Sequence, residues 1–331
     1  MSRLAVIVVN FNGGELLSQC LAALERQTRR AARVLVVDNG SQDGSIAACR
    51  AMFAWAEYYE LGRNTGFAAA NNYGVNLADD CEWIALLNPD AFADPHWIEH
   101  FYRRAAEYPA FDVFACCMRW ATHPEMLDGA GDVYRVDGLA WPRWQGGPMT
   151  RIDPQPEEVI MPSAGAAFYR RRAFVEAGGF CERFFCYYED VDLGLQLQGL
   201  GYRCLFLPDV IVDHVGSALS GKGSTFSVYH AHRNFVWTYL RNMPGHLVWV
   251  YLPAHLAASL ASMAVFIRKG MGGTILRAKW DAFRALPVTL RERRAIQARR
   301  RVSPDVMRAR MARGNLATSL VKIGLGILRR R

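Results

Sequence analysis

Apolar runs and polar turns alternate along the first ninety residues of the chain. Residues 4–9, LAVIVV, are apolar without interruption and partly β-branched, which predicts a strand covered on both faces. The polar turn Asn10-Phe11-Asn12-Gly13-Gly14 follows. From Glu15 to Arg26 the apolar residues Leu17, Leu21 and Leu24 return at helical spacing. Val34-Leu35-Val36-Val37 repeats the strand signal and stops at Asp38-Asn39-Gly40-Ser41. Residues 45–56 read as a helix, and Trp83-Ile84-Ala85-Leu86-Leu87 as another buried strand ending in Asn88-Pro89-Asp90. Strand, helix, strand, helix with short links predicts an α/β layer fold with parallel strands. Ligands of such folds bind beyond the carboxyl ends of the strands, which here carry Asn10, Asp38 and Asp90.

Two later stretches break this rhythm. Residues 120–160 intersperse Gly, Pro, Trp and Asp and read as one long irregular segment, functional or mobile. Its aromatics among polar residues suit a sugar-like ligand. Residues 247–267 carry no formal charge and are long enough to span a bilayer, with Pro253 as a kink. His255, Ser259 and Ser262 fall on one narrow face, so both a membrane-embedded helix and a soluble hairpin stay open. Further on, Leu276, Trp280 and Phe283 line one helix face and Arg277, Asp281 and Arg284 another. Leu316, Leu320, Ile323 and Ile327 repeat the pattern before Arg329-Arg330-Arg331.

Charge sharpens this picture. The chain has 331 residues and a net charge of +8. From Arg268 to Arg331 there are 18 Lys/Arg against three acids, so the tail carries +15 and residues 1–267 carry −7. A basic tail with amphipathic helices is expected at an anionic membrane surface, or else as a packed helical domain with solvated arginines. Nucleic acid is set aside, because no recognition module accompanies the charge. The eight cysteines form no CxxC pair and no zinc spacing, as in a reducing cytoplasm. The short apolar start, cut at Asn10, does not read as a secretory signal.

Candidate chemistry gathers at three places. Tyr187-Tyr188-Glu189-Asp190-Val191-Asp192-Leu193 packs three carboxylates into four positions. On a helix Glu189 and Asp192 share a face and Asp190 points about 100° away. One acid can then enter a cleft as a general base while the other two cap the helix N-terminus. Asp90, stiffened by Pro89, is either a turn residue or a ligand for magnesium or manganese shared with phosphates. His214 closes the apolar run Val210-Ile211-Val212-Asp213 and is by itself a structural histidine as readily as a ligand. Gly216–Gly223 has the spacing of a phosphate-binding loop through Lys222 but lacks the following Ser or Thr. A basic lid over a diphosphate is the better reading of it.

Taken in order, VIVVNFNGG (6–14), VVDNGSQDGS (36–45), NTGFAAANNYG (64–74), LLNPDAF (86–92), AGAAFYRRRAF (164–174), GGFCERFFCYYEDVDLGLQLQGLGY (178–202) and DHVGSALS (213–220) resemble family 2 of the glycosyltransferases. The resemblance runs from about Leu4 to about Asn242 and is nearest to the rhamnosyltransferase-like branch. It implies a GT-A fold, a Rossmann-like, mostly parallel sheet with flanking helices, over residues 1–242, followed by a helical membrane-associating region over 243–331. It implies a nucleotide pocket with Asn10, Phe11, Asp38, Asn64 and Asn71. It also implies a Mg2+ or Mn2+ site at Asp90 and His214, with Asp190 as general base. Cys181 and Gln196 depart from the family pattern on the acceptor side. The QxxRW element of processive synthases is absent, with His230-Ala231-His232-Arg233-Asn234 near its place, which implies addition of one sugar.

The expectation is an inverting, metal-dependent transferase that moves one sugar from a nucleotide-diphosphate sugar to a glycan hydroxyl, with a lipid-linked acceptor. It would sit in the cytoplasm, peripheral on the inner face of the cell membrane, or be embedded through residues 247–267. The alternative is a catalytically inactive nucleotide-sugar-binding scaffold at the membrane.

Overall fold

The computed structural model describes residues 2–216 and 223–313. The Leu316–Ile327 stripe, the terminal arginines and residues 217–222 of the glycine-rich run, Lys222 included, lie outside the described residues. In the first half, β1 (Leu4–Asn10), α1 (Gly14–Glu25), β2 (Arg33–Asp38), α2 (Ser45–Met52), β3 (Glu57–Glu60), α3 (Phe67–Leu77), β4 (Trp83–Leu87), β5 (Ala91–Ala93) and α4 (Trp97–Glu107) alternate as the apolar runs predict. Then come β6 (Val113–Trp120), β7 (His123–Ala130), β8 (Asp132–Tyr134), β9 (Ala140–Pro142), β10 (Glu157–Val159) and β11 (Ala166–Arg170). After α5 (Arg171–Ala177), α6 (Glu189–Leu200) and β12 (Cys204–His214), the chain continues helically. These last helices are α7 (Thr225–Asn242), α8 (Leu247–Val250), α9 (Leu252–Arg268), α10 (Gly272–Arg284), α11 (Leu286–Arg299) and α12 (Pro304–Arg310).

The sheet runs β10-β12-β6-β11-β4-β1-β2-β3. β3, β2, β1, β4, β6 and β12 point one way, and β11 and β10 run against them. Every residue of β1 is buried because both sheet faces are covered. Leu4, Val6 and Val8 pack with α1, α2 and α4; Ala5, Ile7 and Val9 pack with α3, α5 and α6. Each fully buried Leu, Ile or Val contributes about 1.5–3 kcal/mol, which is why the run is unbroken.

The long irregular reading of residues 120–160 is corrected. β7 pairs with β6, β8 pairs with β9, and β10 pairs with β12, so the segment is short strands joined by glycine turns. Three-residue strands carry too little periodicity to register in a sequence. The reading of residues 247–267 as a bilayer span is also corrected. The run splits at Tyr251 into α8 and α9, and Pro253 sits in the first turn of α9, where its missing N–H costs nothing. No helix among the described residues is long and apolar enough to cross a membrane.

α6 is central. From Val191 to Leu200 every residue is buried, so its apolar side chains face core on all sides. Asp192, fully buried, therefore needs partners. It receives Arg241 Nε at 2.8 Å and Nη2 at 3.0 Å, Asn242 Nδ2 at 2.6 Å and Gln196 Nε2 at 2.9 Å. Arg241 also bonds Glu292 on α11, which holds Arg183 at 2.5 Å. The expected capping role of Glu189 and Asp192 is thereby overturned: no side chain caps α6 from outside, and Asp192 ties α6 to α7. Removing one member strands a buried charge, so Arg241→Ala is expected to destabilise the protein by about 3–5 kcal/mol. Urea unfolding checks this, and a loss below 1 kcal/mol would contradict it.

Candidate functional site

A cavity of about 680 Å³ opens above the carboxyl ends of the strands. Phe11, Asn64, Asp90, Asp190 and His214 all line it, joined by the aromatics Phe67, Phe185, Tyr187, Tyr188 and Phe226. Asn10, Asp38 and Asn71 do not line it. Asn10 is fully buried and donates to Ser41 Oγ and Ser45 Oγ at 2.9 and 3.0 Å. Asp38 accepts from Ser41 N at 3.1 Å, and Asn71 donates to Phe67 O within its own helix. These three shape the loops that carry the pocket. Asn39, beside Asp38, lines the cavity instead, with Nδ2 donating to Asn64 Oδ1 at 3.0 Å.

Asp90 and His214 meet because β5 pairs antiparallel with the end of β12, placing His214 opposite Ala91. His214 Nε2 lies 3.3 Å from Asp90 Oδ1, yet it is buried without an aligned hydrogen bond among the described residues. A nitrogen and a carboxylate oxygen converging this way fit a shared divalent cation. No cluster of three or more His, Cys, Asp or Glu side chains among the described residues is arranged for one. Two protein ligands suit a hard cation that keeps water and phosphate oxygens in its remaining positions. His214 Nδ1 contacts Asp128 Oδ2 at 2.7 Å. Burial alone would lower the pKa of His214, but the hydrogen bond to Asp128 and the nearby charges of Asp90 and Asp128 outweigh it and raise it to about 9.

Asp190 stands across the cavity with two backbone donors. Ala164 N reaches its Oδ2 at 3.2 Å and Val191 N its Oδ1 at 2.8 Å. Burial raises its pKa, and these amide bonds work in the opposite direction. Glu189 and Asp132 are pushed well above the carboxylate range by burial and then by the charge of Asp190. Glu189 Oε2 and Asp132 Oδ1 have no partner among the described residues. Carboxyls packed this closely cannot all ionise. Backbone donors reach both oxygens of Asp190, which favours its charged form over those of its two neighbours.

The segment before Asp190 is strained. Phe185, Tyr187 and Tyr188 have φ of 65°, 69° and 69°, at about 1–3 kcal/mol each. α7 holds them there: Asn234 Nδ2 lies 2.9, 2.9 and 2.7 Å from the carbonyls of Phe184, Cys186 and Tyr187. Arg233 adds bonds to Arg183 O and Phe184 O. Gly66, at φ +90°, presses on the same segment; a Cβ there would lie 2.6 Å from the Phe185 ring. The residues near the missing QxxRW element thus brace the loop that presents the acid. Ser163–Gly165, which line the cavity, and Asp128 and Asn234, which hold His214 and the 184–187 carbonyls from behind it, escaped sequence reasoning, because only the fold brings them together.

Residues 5–178 match the family model for glycosyl transferase family 2. The chain belongs to that family. A curated relative, the N-acetylglucosaminyl-diphospho-decaprenol L-rhamnosyltransferase of Mycobacterium tuberculosis, is 29% identical over 283 residues, covering 78% of this chain and 90% of its own. Among solved structures, the mannosyltransferase PcManGT from Pyrobaculum calidifontis, in complex with GDP-Man and Mn2+, matches with a TM-score of 0.55 at 17% identity, over 99% of this chain and 88% of its own. GalNAc-T7 with UDP, GalNAc and Mn2+ matches with a TM-score of 0.63 at 14% identity over 80% of this chain, which spans about half (51%) of that one. At such identities the structures share the fold, and the GT-A expectation holds.

Asn234→Ala removes the brace and leaves three carbonyls to find other partners. We expect hydrogen exchange of the 184–188 amides to rise about tenfold, matching a local loss of about 1–2 kcal/mol. Unchanged protection, measured by mass spectrometry, would show that the strain is held elsewhere.

Proposed function

We propose that this glycosyltransferase moves a single sugar, with inversion, from a nucleotide-diphosphate sugar to a hydroxyl of a lipid-linked glycan at an anionic membrane surface. One observation carries the reading: Asp190 shares a single cavity with the Asp90–His214 pair, so that Asp190 would serve the acceptor and the pair the leaving group. The donor's nucleotide would rest against Phe11, Asn39 and Asn64, and its sugar among the aromatics, whose apolar faces suit sugar rings. Asp90 and His214 would hold Mg2+ or Mn2+, which neutralises the charge that develops on a departing diphosphate. Asp190 keeps free lone pairs beyond its two amide bonds. It takes the proton of the acceptor hydroxyl as the new oxygen–C1 bond forms and the C1–phosphate oxygen bond breaks, with the electron pair leaving on the diphosphate. A single displacement inverts C1 and needs one base, unlike the carboxylate pair of a glycosidase. The name of the mycobacterial relative, an N-acetylglucosaminyl-diphospho-decaprenol rhamnosyltransferase, favours a lipid-linked acceptor.

The C-terminal helices support the membrane half of the proposal. α9 turns its polar stripe inward: His255, Ser259 and Ser262 are buried, and His255 Nδ1 contacts Asp137 O at 2.9 Å. Its apolar side chains face out, with Leu260 64% exposed. On α10, Trp280 and Phe283 are 60% and 61% exposed, and Trp249 on α8 is 70% exposed. An outward apolar face beside Arg268, Lys269, Arg277 and Arg284 suits anionic headgroups over acyl chains.

Three tests follow from this reading. In single turnover, Asp190→Asn is expected to slow transfer by about 10²–10⁴ while nucleotide binding persists; near-normal transfer would remove the proposed base. Because burial raises the pKa of Asp190, transfer should fall with decreasing pH along a limb lying above the usual carboxylate range, as the base protonates. A rate independent of pH down to that range would speak against it. Replacing Trp280 and Phe283 together by Ser should weaken binding to phosphatidylglycerol vesicles by about 2 kcal/mol, or ~30-fold. Undiminished sedimentation with vesicles would move the docking surface elsewhere.

A further inference from the structure

We infer that Asp128 is a positioning residue that fixes the ring of His214, so that Nε2 is presented to a divalent cation shared with Asp90. The inference rests on the metal reading above and adds a residue to it. Three strands set the geometry. β6 lies between β12 and β7, pairing with both near its carboxyl end, and His214 and Asp128 reach each other across it. His214 Nδ1 contacts Asp128 Oδ2 at 2.7 Å, the short distance expected of a charge-assisted bond. The other carboxylate oxygen, Oδ1, accepts from Gln145 Nε2 at 2.9 Å, so the plane of Asp128 is held from both sides. A carboxylate on Nδ1 keeps the proton there, so Nε2 is the nitrogen that gives up its proton when a cation binds. Nε2 is the atom that faces Asp90 Oδ1 without an aligned bond. Asp128 is itself buried and does not line the cavity, so it acts through the histidine and not on the substrate.

A buried acid serving only stability would leave Nε2 indifferent to its removal. An orienting acid sets how well the site holds the metal, with losses of about 10–100-fold when such partners are changed. The test is Mn2+ binding followed by electron paramagnetic resonance of the free ion, for the metal alone and with UDP, GDP or dTDP. Wild type, Asp128→Asn, Asp128→Glu and Gln145→Ala are compared, with Asp90→Asn and His214→Ala as ligand controls. Asp128→Asn is expected to weaken Mn2+ binding about tenfold or more, with Asp128→Glu partly restoring it and Gln145→Ala giving a smaller loss. Thermal unfolding without metal separates misfolding from loss of the site, and Gln145→Ala, half-buried at a turn, serves if Asp128→Asn does not fold. Equal affinity in wild type, Asp128→Asn and Gln145→Ala, with loss in the ligand controls, would overturn the inference and leave the metal reading standing. Absence of binding by the wild type under every condition would overturn both.

Discussion

The buried pair of Asp192 and Arg241 is the constraint on which the rest depends. Asp192 stands in a helix whose other side chains are packed into the core on every side, where an unpaired carboxylate would cost several kcal/mol. Its partners come from α7, and Arg241 extends the network to Glu292 and Arg183. One ionic requirement therefore fixes α6 against α7 and brings α11 onto both. The same fixed α7 places Asn234 under the strained carbonyls of Phe184, Cys186 and Tyr187. Two positions before Asp192, Asp190 inherits its orientation from this arrangement.

Electrostatics in the cavity follow from crowding. Asp190, Glu189 and Asp132 compete for charge in a desolvated space, and Asp190 is favoured because backbone amides reach both of its oxygens. Opposite it, Asp90 and Asp128 enclose His214 from its two nitrogens. Negative charge is thus divided between two ends of one cavity. That division suits a reaction in which a proton is taken at one end and a diphosphate departs at the other.

The C-terminal helices are part of the same body. Arg301 N and Val302 N donate to Gly199 O, Ala312 N donates to Tyr134 O, and Met307 and Met311 are buried against Val191 and Leu195. α9 and α10 turn Leu256, Leu260, Leu276, Trp280 and Phe283 outward among exposed arginines, while α9 turns His255 and two serines inward. Such an inversion is stable only where the inner polar groups find partners, as His255 does with Asp137 O and between the rings of Phe235 and Tyr239.

Local pattern was enough for part of this. The unbroken apolar runs of β1, β2 and β4 announce strands covered on both faces, and their ends announce where ligands go, because periodicity and burial are written residue by residue. The quoted segments also placed the chain in its family. Other features had no local signal. Asp192 sits in the same acidic cluster whether it caps a helix or meets Arg241, forty-nine residues away. Asp128 lies in a three-strand neighbourhood that glycine turns disguise as a loop, and Leu247–Ile267 has the composition of a span but breaks at Tyr251. By itself, the sequence determined the strands of the first ninety residues, the α/β layering and the acids available for chemistry. Tertiary structure alone decided which of those acids receives backbone amides, which meets an arginine and which meets a histidine, because charge in a protein interior is set by neighbours distant in the chain.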